Sequence, residues 1–340
     1  MKRGQGTKFT PELEQWLAYA VLTGHSNESV LGQLTDSGYP ADEIVHSLNE
    51  LRESPLLTVG HDFARQLSQA RWLLDLQKSV FELARVKGDV PRIEARDYER
   101  FAQDFLAANR PVIIDGLIDN WPAKTCWDHQ SLNEKLGRER IQYTRYFVEQ
   151  NRHMPEKMES SFGEFLDLVF QEKCEDPIYW TAYNQGDEAS ALLSGLQEDI
   201  VFPEPYCTAK EGMRTYFWIG PKGTRSGLHF DPYNVLFVQV KGRKRFYLFP
   251  PQDIPKAYLE NDFFSQVDAE APDLGKFPKF SGLEPIIVEV GPGETLFLPV
   301  GWLHQVRSLS VSISVSLTCL NLPSGGSNRY DAPSTYRGIL

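Results

Sequence analysis

Three side chains could hold a reactive metal: His229 and Asp231 in Gly227-Leu-His-Phe-Asp-Pro232, and His304, which follows 73 residues after Asp231. Side chains at i and i+2 of a strand point to the same face, so His229 and Asp231 can reach one ion. Two imidazoles and one carboxylate leave about three coordination positions open, the facial arrangement of non-haem Fe(II) oxygenases. Zinc favours a closed tetrahedral set, or a catalytic site with one open position, and no fourth ligand stands near these three in the sequence. An H-x-D pair alone is weak, because a His bonded to a nearby Asp in a turn gives the same spelling. The second His, placed after the turn Gly291-Pro-Gly-Glu-Thr-Leu-Phe-Leu-Pro299, changes that balance.

Strands must position these ligands. From Arg214 to Leu322 the chain reads as eight short strands separated by Gly/Pro turns: Thr215–Ile219, Gly227–Phe230, Val235–Val240, Lys244–Phe249, Ile286–Val290, Thr295–Leu298, His304–Ser308 and Val311–Leu320. That succession predicts a mainly β protein with a double-stranded β-helix (jelly-roll, cupin) core. The last strand alternates Val311, Ile313, Val315 and Leu317 with Ser312, Ser314, Ser316 and Thr318. Its hydroxyl face points either to solvent or into the barrel, and the nearness of His304 favours the interior. Upstream, a buried strand is expected in Arg110–Gly116, a helix at Phe162–Phe170 and a strand at Ile178–Ala182.

Before the strand-rich region, residues 8 to about 87 read as helical. Thr10-Pro11 is an N-cap with Pro at the first helical position. Breaks fall at Gly24–Asn27, Gly38–Pro40 and Ser54-Pro55, and a longer apolar-periodic run follows. We expect an N-terminal α-helical region over 1–88 for packing, partner contact or self-association as a homodimer, an oxygenase domain over 89–323 and a flexible tail over 324–340.

The hydrophobic fraction of 41% and charged fraction of 24% suit a globular chain. No window approaches a membrane span, and no apolar segment follows the first basic residues. Four dispersed cysteines argue against a zinc cluster or a disulfide framework and fit a reducing, cytoplasmic setting. The net charge of −11 lowers the prior for nucleic acid. The densest basic stretch, Lys241–Arg245, lies inside a strand pattern.

Taken with the strand pattern, these segments resemble the JmjC/cupin-like 2-oxoglutarate-dependent oxygenases, particularly the hydroxylase-type branch that includes the asparaginyl hydroxylase of hypoxia-inducible factor. The resemblance rests on Gly227–Pro232, Gln239-Val-Lys-Gly-Arg-Lys-Arg-Phe-Tyr-Leu-Phe-Pro-Pro251 and Gly291–His304. Asn109-Arg-Pro-Val-Ile-Ile-Asp-Gly116 and Asn120-Trp-Pro122 add to it, and together the segments cover roughly residues 92–322. It implies Fe(II), 2-oxoglutarate as cosubstrate and O₂. It also implies that Lys244, fifteen residues after His229, pairs with the distal carboxylate of 2-oxoglutarate, with Ser226 and Tyr179 nearby. The family often has Asn six residues after the first His, where this chain has Val235. Asn234 substitutes only if a bulge intervenes, since a one-residue offset reverses the face. Ser316 falls where some relatives carry Asn.

The resemblance thus implies hydroxylation of a protein or peptide side chain, with a small molecule or a tRNA base as other substrates. The competing reading is a catalytically silent metal-binding cupin serving as a scaffold, because a jelly roll by itself does not imply oxygenase activity.

Overall fold

The computed structural model describes residues 10–84, 90–145, 156–171, 178–183, 190–207, 215–260, 263–318 and 320. The chain divides into two compact units, Met1–Arg85 and Val86–Leu340. The tail expected over 324–340 lies outside the described residues.

In the first unit, α1 (Pro11–Leu22), α2 (Asn27–Asp36), α3 (Ala41–Glu53) and α4 (Pro55–Ala84) follow the breaks read from the sequence. Thr10 and Ser26 cap α1 and α2 by accepting the Leu13 and Ser29 amides, satisfying N–H groups that a helix start leaves without partners. Leu17, Val30, Leu34, Ile44, Leu48 and Leu57 meet in a small core. Beyond its first turns, α4 keeps most of its apolar side chains exposed.

The second unit is built on strands. Five precede the barrel: β1 (Arg92–Glu94), β2 (Val112–Asp115), β3 (Arg140–Arg145), β4 (Glu156–Ser161) and β5 (Ile178–Tyr183). The first barrel strands are β6 (Thr215–Gly220), β7 (Arg225–His229), β8 (Val235–Lys241) and β9 (Lys244–Phe249). A hairpin of β10 (Leu259–Glu260) and β11 (Phe264–Ser265) interrupts them. The barrel then closes with β12 (Ile286–Val290), β13 (Glu294–Leu298), β14 (Leu303–Ser308) and β15 (Ser312–Leu317).

One sheet runs β1-β2-β13-β8-β15-β6-β5-β3-β4 and the other β10-β11-β7-β14-β9-β12. Their central halves, β13-β8-β15-β6 and β7-β14-β9-β12, are the two four-stranded sheets of a jelly roll. The eight strands expected from the sequence are these eight, and the helix Phe162–Phe170 is present with a Ser161/Glu164 capping box. The main core lies on the outer face of the larger sheet, where Trp121, Phe162, Phe165, Trp180 and Phe217 pack with the flanking helices.

Both faces of β15 are buried, so Ser312, Ser314 and Ser316 point into the protein and not to solvent. Ser314 donates to Gln239, and Ser312 lies 3.0 Å from Ser308, so the hydroxyls meet polar partners inside. One expectation is corrected: Cys207 is disulfide-bonded, so the spacing of the cysteines did not reveal every pairing. Among the described residues, no helix is long and apolar enough to cross a membrane.

The β8–β9 turn shows how tightly the barrel is closed. Gly242 has φ +75°, and a Cβ there would sit 1.9 Å from the carbonyl oxygen of Val311. The neighbouring Arg243 carbonyl accepts the Leu309 amide, fastening this turn to the β14–β15 turn. Gly242→Ala is therefore expected to destabilise the protein by at least about 2 kcal/mol, combining left-handed strain with a backbone clash. Chemical denaturation of the two proteins measures the difference.

Candidate metal centre and cosubstrate pocket

His229 ends β7 and His304 lies on β14, and the two are paired directly across the ladder. Their ring centroids are 4.2 Å apart. Asp231 lies just past the end of β7. The ligand atoms of the three side chains all fall within 4.8 Å of one another, with His304 Nε2 3.8 Å from Asp231 Oδ2.

Each imidazole is oriented by a main-chain carbonyl. His229 Nδ1 lies 2.7 Å from Gly227 O, and His304 Nδ1 lies 3.0 Å from Trp302 O. A carbonyl can only accept, so both Nδ1 atoms carry the hydrogen and both Nε2 lone pairs remain for an ion. Burial, with a smaller contribution from nearby His229, lowers the His304 pKa to about 3, which keeps the ring in the neutral form that binds metal. Burial raises the Asp231 pKa, while His229 pulls it down. A cation beside this buried carboxylate would offset the cost of its charge. The donor set therefore fits a divalent ion with open positions.

The loop before His304 is fastened from three directions. The Asp231 carbonyl accepts the Gly301 amide, Asn234 Oδ1 accepts the Val300 amide at 2.8 Å, and Trp302 Nε1 donates to Asn109 O. These contacts correct the expectation for Asn234. β8 begins at Val235 without a bulge beside it, and Val235 lines the cavity while Asn234 holds the turn. The register shifts of the inner strands lie elsewhere, at His304/Val306 and at Ile313/Ser314.

The cavity beside the three ligands is lined by Tyr179, Ser226, Lys244 and Ser316, so four of the five predicted cosubstrate residues come together there. Lys244 is 1% exposed, and its Nζ donates to Tyr179 Oη at 3.1 Å. It also lies 5.2 Å from the Phe237 ring centre. Burial pushes its pKa down to about 7, and among the described residues the ammonium makes no ion pair. Tyr179 can approach because Gly220 offers no Cβ, which would meet the tyrosine ring at 2.9 Å.

Several lining residues escaped the sequence reading, Tyr216, Trp218 and Tyr233, while Thr318 lies on the hydroxyl face expected to point inward. Trp218 Nε1 donates to Ser316 Oγ at 3.0 Å, leaving the Ser316 hydrogen to be donated elsewhere. Tyr233 donates to Tyr216 Oη at 3.3 Å. Tyr216 and Trp218 are i and i+2 in the strand read at Thr215–Ile219, so period-two geometry puts them on one face without saying which way it looks. Phe264 of β11 stacks on the His229 ring at 5.1 Å, and no motif announced it.

Fold and site together define a cupin-type jelly roll with a candidate His/Asp/His metal site beside a cavity lined by the buried Lys244. The chain belongs to the cupin-like domain family, whose model matches residues 98–317, and within it to the JmjC/cupin-like group. It is 35% identical over 240 residues to lysine-specific demethylase 8 of Danio rerio, covering 67% of this chain and 57% of that protein. It is 32% identical over 239 residues to lysine-specific demethylase JMJ30 of Arabidopsis thaliana, covering 66% and 54%. With HSPB1-associated protein 1 of Homo sapiens it shares 28% over 244 residues, covering 64% and 49%. The chain thus spans about half the length of these curated relatives.

Asp231→Ala removes the only carboxylate of the triad and should weaken Fe(II) binding by roughly 100-fold or more. Titration of the purified protein under anaerobic conditions measures this, and a retained affinity would remove Asp231 from the ligand set.

Proposed function

We propose that the protein is an Fe(II)- and 2-oxoglutarate-dependent oxygenase that hydroxylates a side chain of a protein or peptide. The observation that carries this reading is the placement of Lys244 and Tyr179 in the same cavity as the His229/Asp231/His304 set. An ammonium that is buried and makes no ion pair among the described residues suits the distal carboxylate of a dicarboxylate ligand, and a charge-assisted bond of that kind is stronger than a neutral one.

His229, Asp231 and His304 would hold the iron, which supplies oxygen activation coupled to oxidative decarboxylation of 2-oxoglutarate. The protein's own residues bind and orient. Lys244 and Tyr179 would anchor the far end of the cosubstrate, and the Ser226 and Ser316 hydroxyls would serve its carboxylates. Val235, Phe237, Phe246 and Leu298 line the cavity with apolar surface, which excludes water and strengthens the charged contacts. The balanced reaction converts substrate C–H, 2-oxoglutarate and O₂ into substrate C–OH, succinate and CO₂.

Two of the relatives named above are called lysine-specific demethylases, which favours a second reading in which the oxidised carbon is an N-methyl group. Both readings begin with oxygen insertion into C–H, and the product separates them. Incubation with Fe(II), 2-oxoglutarate and peptide pools should release succinate with a gain of one oxygen on the substrate. Loss of a methyl group would favour the demethylase reading, and no succinate under any condition would favour the scaffold reading.

Lys244 gives two further outcomes. The free protein's Lys244 loses its proton as pH rises through about 7, and a bound carboxylate would raise that pKa. Affinity for 2-oxoglutarate should therefore fall above pH 7, by up to tenfold per pH unit, as measured by calorimetry at several pH values. Lys244→Met should abolish 2-oxoglutarate binding yet raise the melting temperature of the ligand-free protein. Burying the ammonium costs on the order of a few kcal/mol that a thioether does not.

A further inference from the structure

The helix α4 runs for 30 residues, about 45 Å, and among its described side chains only the start is engaged in the first unit's core. Leu56, Val59, Phe63, Ala70, Leu73 and Val80 fall on the a and d positions of a heptad pattern. They are exposed: Leu56 is 82%, Phe63 68% and Val80 57% accessible. Leu67, Leu76 and Leu83 widen the same stripe and are also exposed. Side chains of this number and size would bury on the order of 800 Å² per copy, enough for a standard protein interface.

The stripe contains two polar positions, Gln66 at d and Gln77 at a. In an antiparallel pair of identical helices, each a residue shares a layer with a d residue of the other copy. Placing Gln66 opposite Gln77 of the second copy aligns the Phe63 and Ala70 layers as well. Phe63 then meets Val80 and Ala70 meets Leu73, so in each of these layers a larger residue faces a smaller one. The two-fold axis falls between Arg71 and Trp72. A parallel pair would instead stack Phe63 on Phe63 and Ala70 on Ala70, leaving one layer overfilled and another empty. A polar residue in a seam specifies register and orientation, and here both polar residues agree on a single arrangement.

We infer that α4 is a self-association surface, pairing antiparallel with α4 of a second copy through Gln66–Gln77 layers. The full chain is expected to sediment as a dimer at micromolar concentration. Gln66→Glu combined with Gln77→Glu puts like charges in both polar layers and should weaken association by roughly 100-fold or more. Gln66→Glu combined with Gln77→Lys should retain the dimer, because each layer then pairs opposite charges. Circular dichroism of each variant checks that α4 is folded. A monomeric parent chain would overturn the inference, whether the stripe is covered by the chain's own second unit or by an unrelated partner. A dimer that persists with two glutamates, or is lost with the glutamate–lysine pair, would overturn the antiparallel register.

Discussion

A buried cation that meets no counter-charge among the described residues is the constraint on which the rest of the pocket depends. Lys244 begins β9 and projects among Tyr179, Phe237 and Phe246, where an ammonium is costly without a partner. Surrounding elements are arranged to tolerate it: Gly220 lets the tyrosine ring come close, and two aromatic faces lie over the charge. A fold that only needed to be stable would place an apolar side chain there. Under the proposed function the charge would answer an anionic occupant, and its distance from the candidate metal ligands would set the length of molecule that can touch both.

The metal centre rests on a simpler device. Two strands meet so that His229 and His304 face each other across one rung of the ladder, and each ring is turned by a carbonyl of its own chain. Ligand geometry is thus inherited from β-sheet register, whose spacing varies little. Asp231 lies outside that ladder and takes its place from the turn it shares with Gly301.

Much of this was legible in the sequence because period-two alternation and Gly/Pro punctuation survive translation into strands. All eight barrel strands were read that way, the three candidate ligands came from the H-x-D spacing and the second His after its Gly-Pro-Gly turn, and Lys244 came from the family resemblance alone. What failed to show were features decided by tertiary pairing. Nothing local distinguishes Asn234, which braces a turn, from Val235, which lines the cavity, because that depends on where β8 begins to pair. Tyr216 and Trp218 lie inside a strand the sequence showed, but only the position of β6 beside β15 turns their face toward the ligand site. The short hairpin carrying Phe264 has no periodicity to detect.

The brace around residues 299–302 has a kinetic consequence. Asn234, Asn109 and the Asp231 carbonyl hold this turn through bonds that do not involve an ion. The two imidazoles are therefore aimed before any metal arrives, and no backbone segment must fold around the incoming ion. The pace of metal capture is then set by how readily the ion sheds water inside a narrow cavity, and its release by how many donors let go at once.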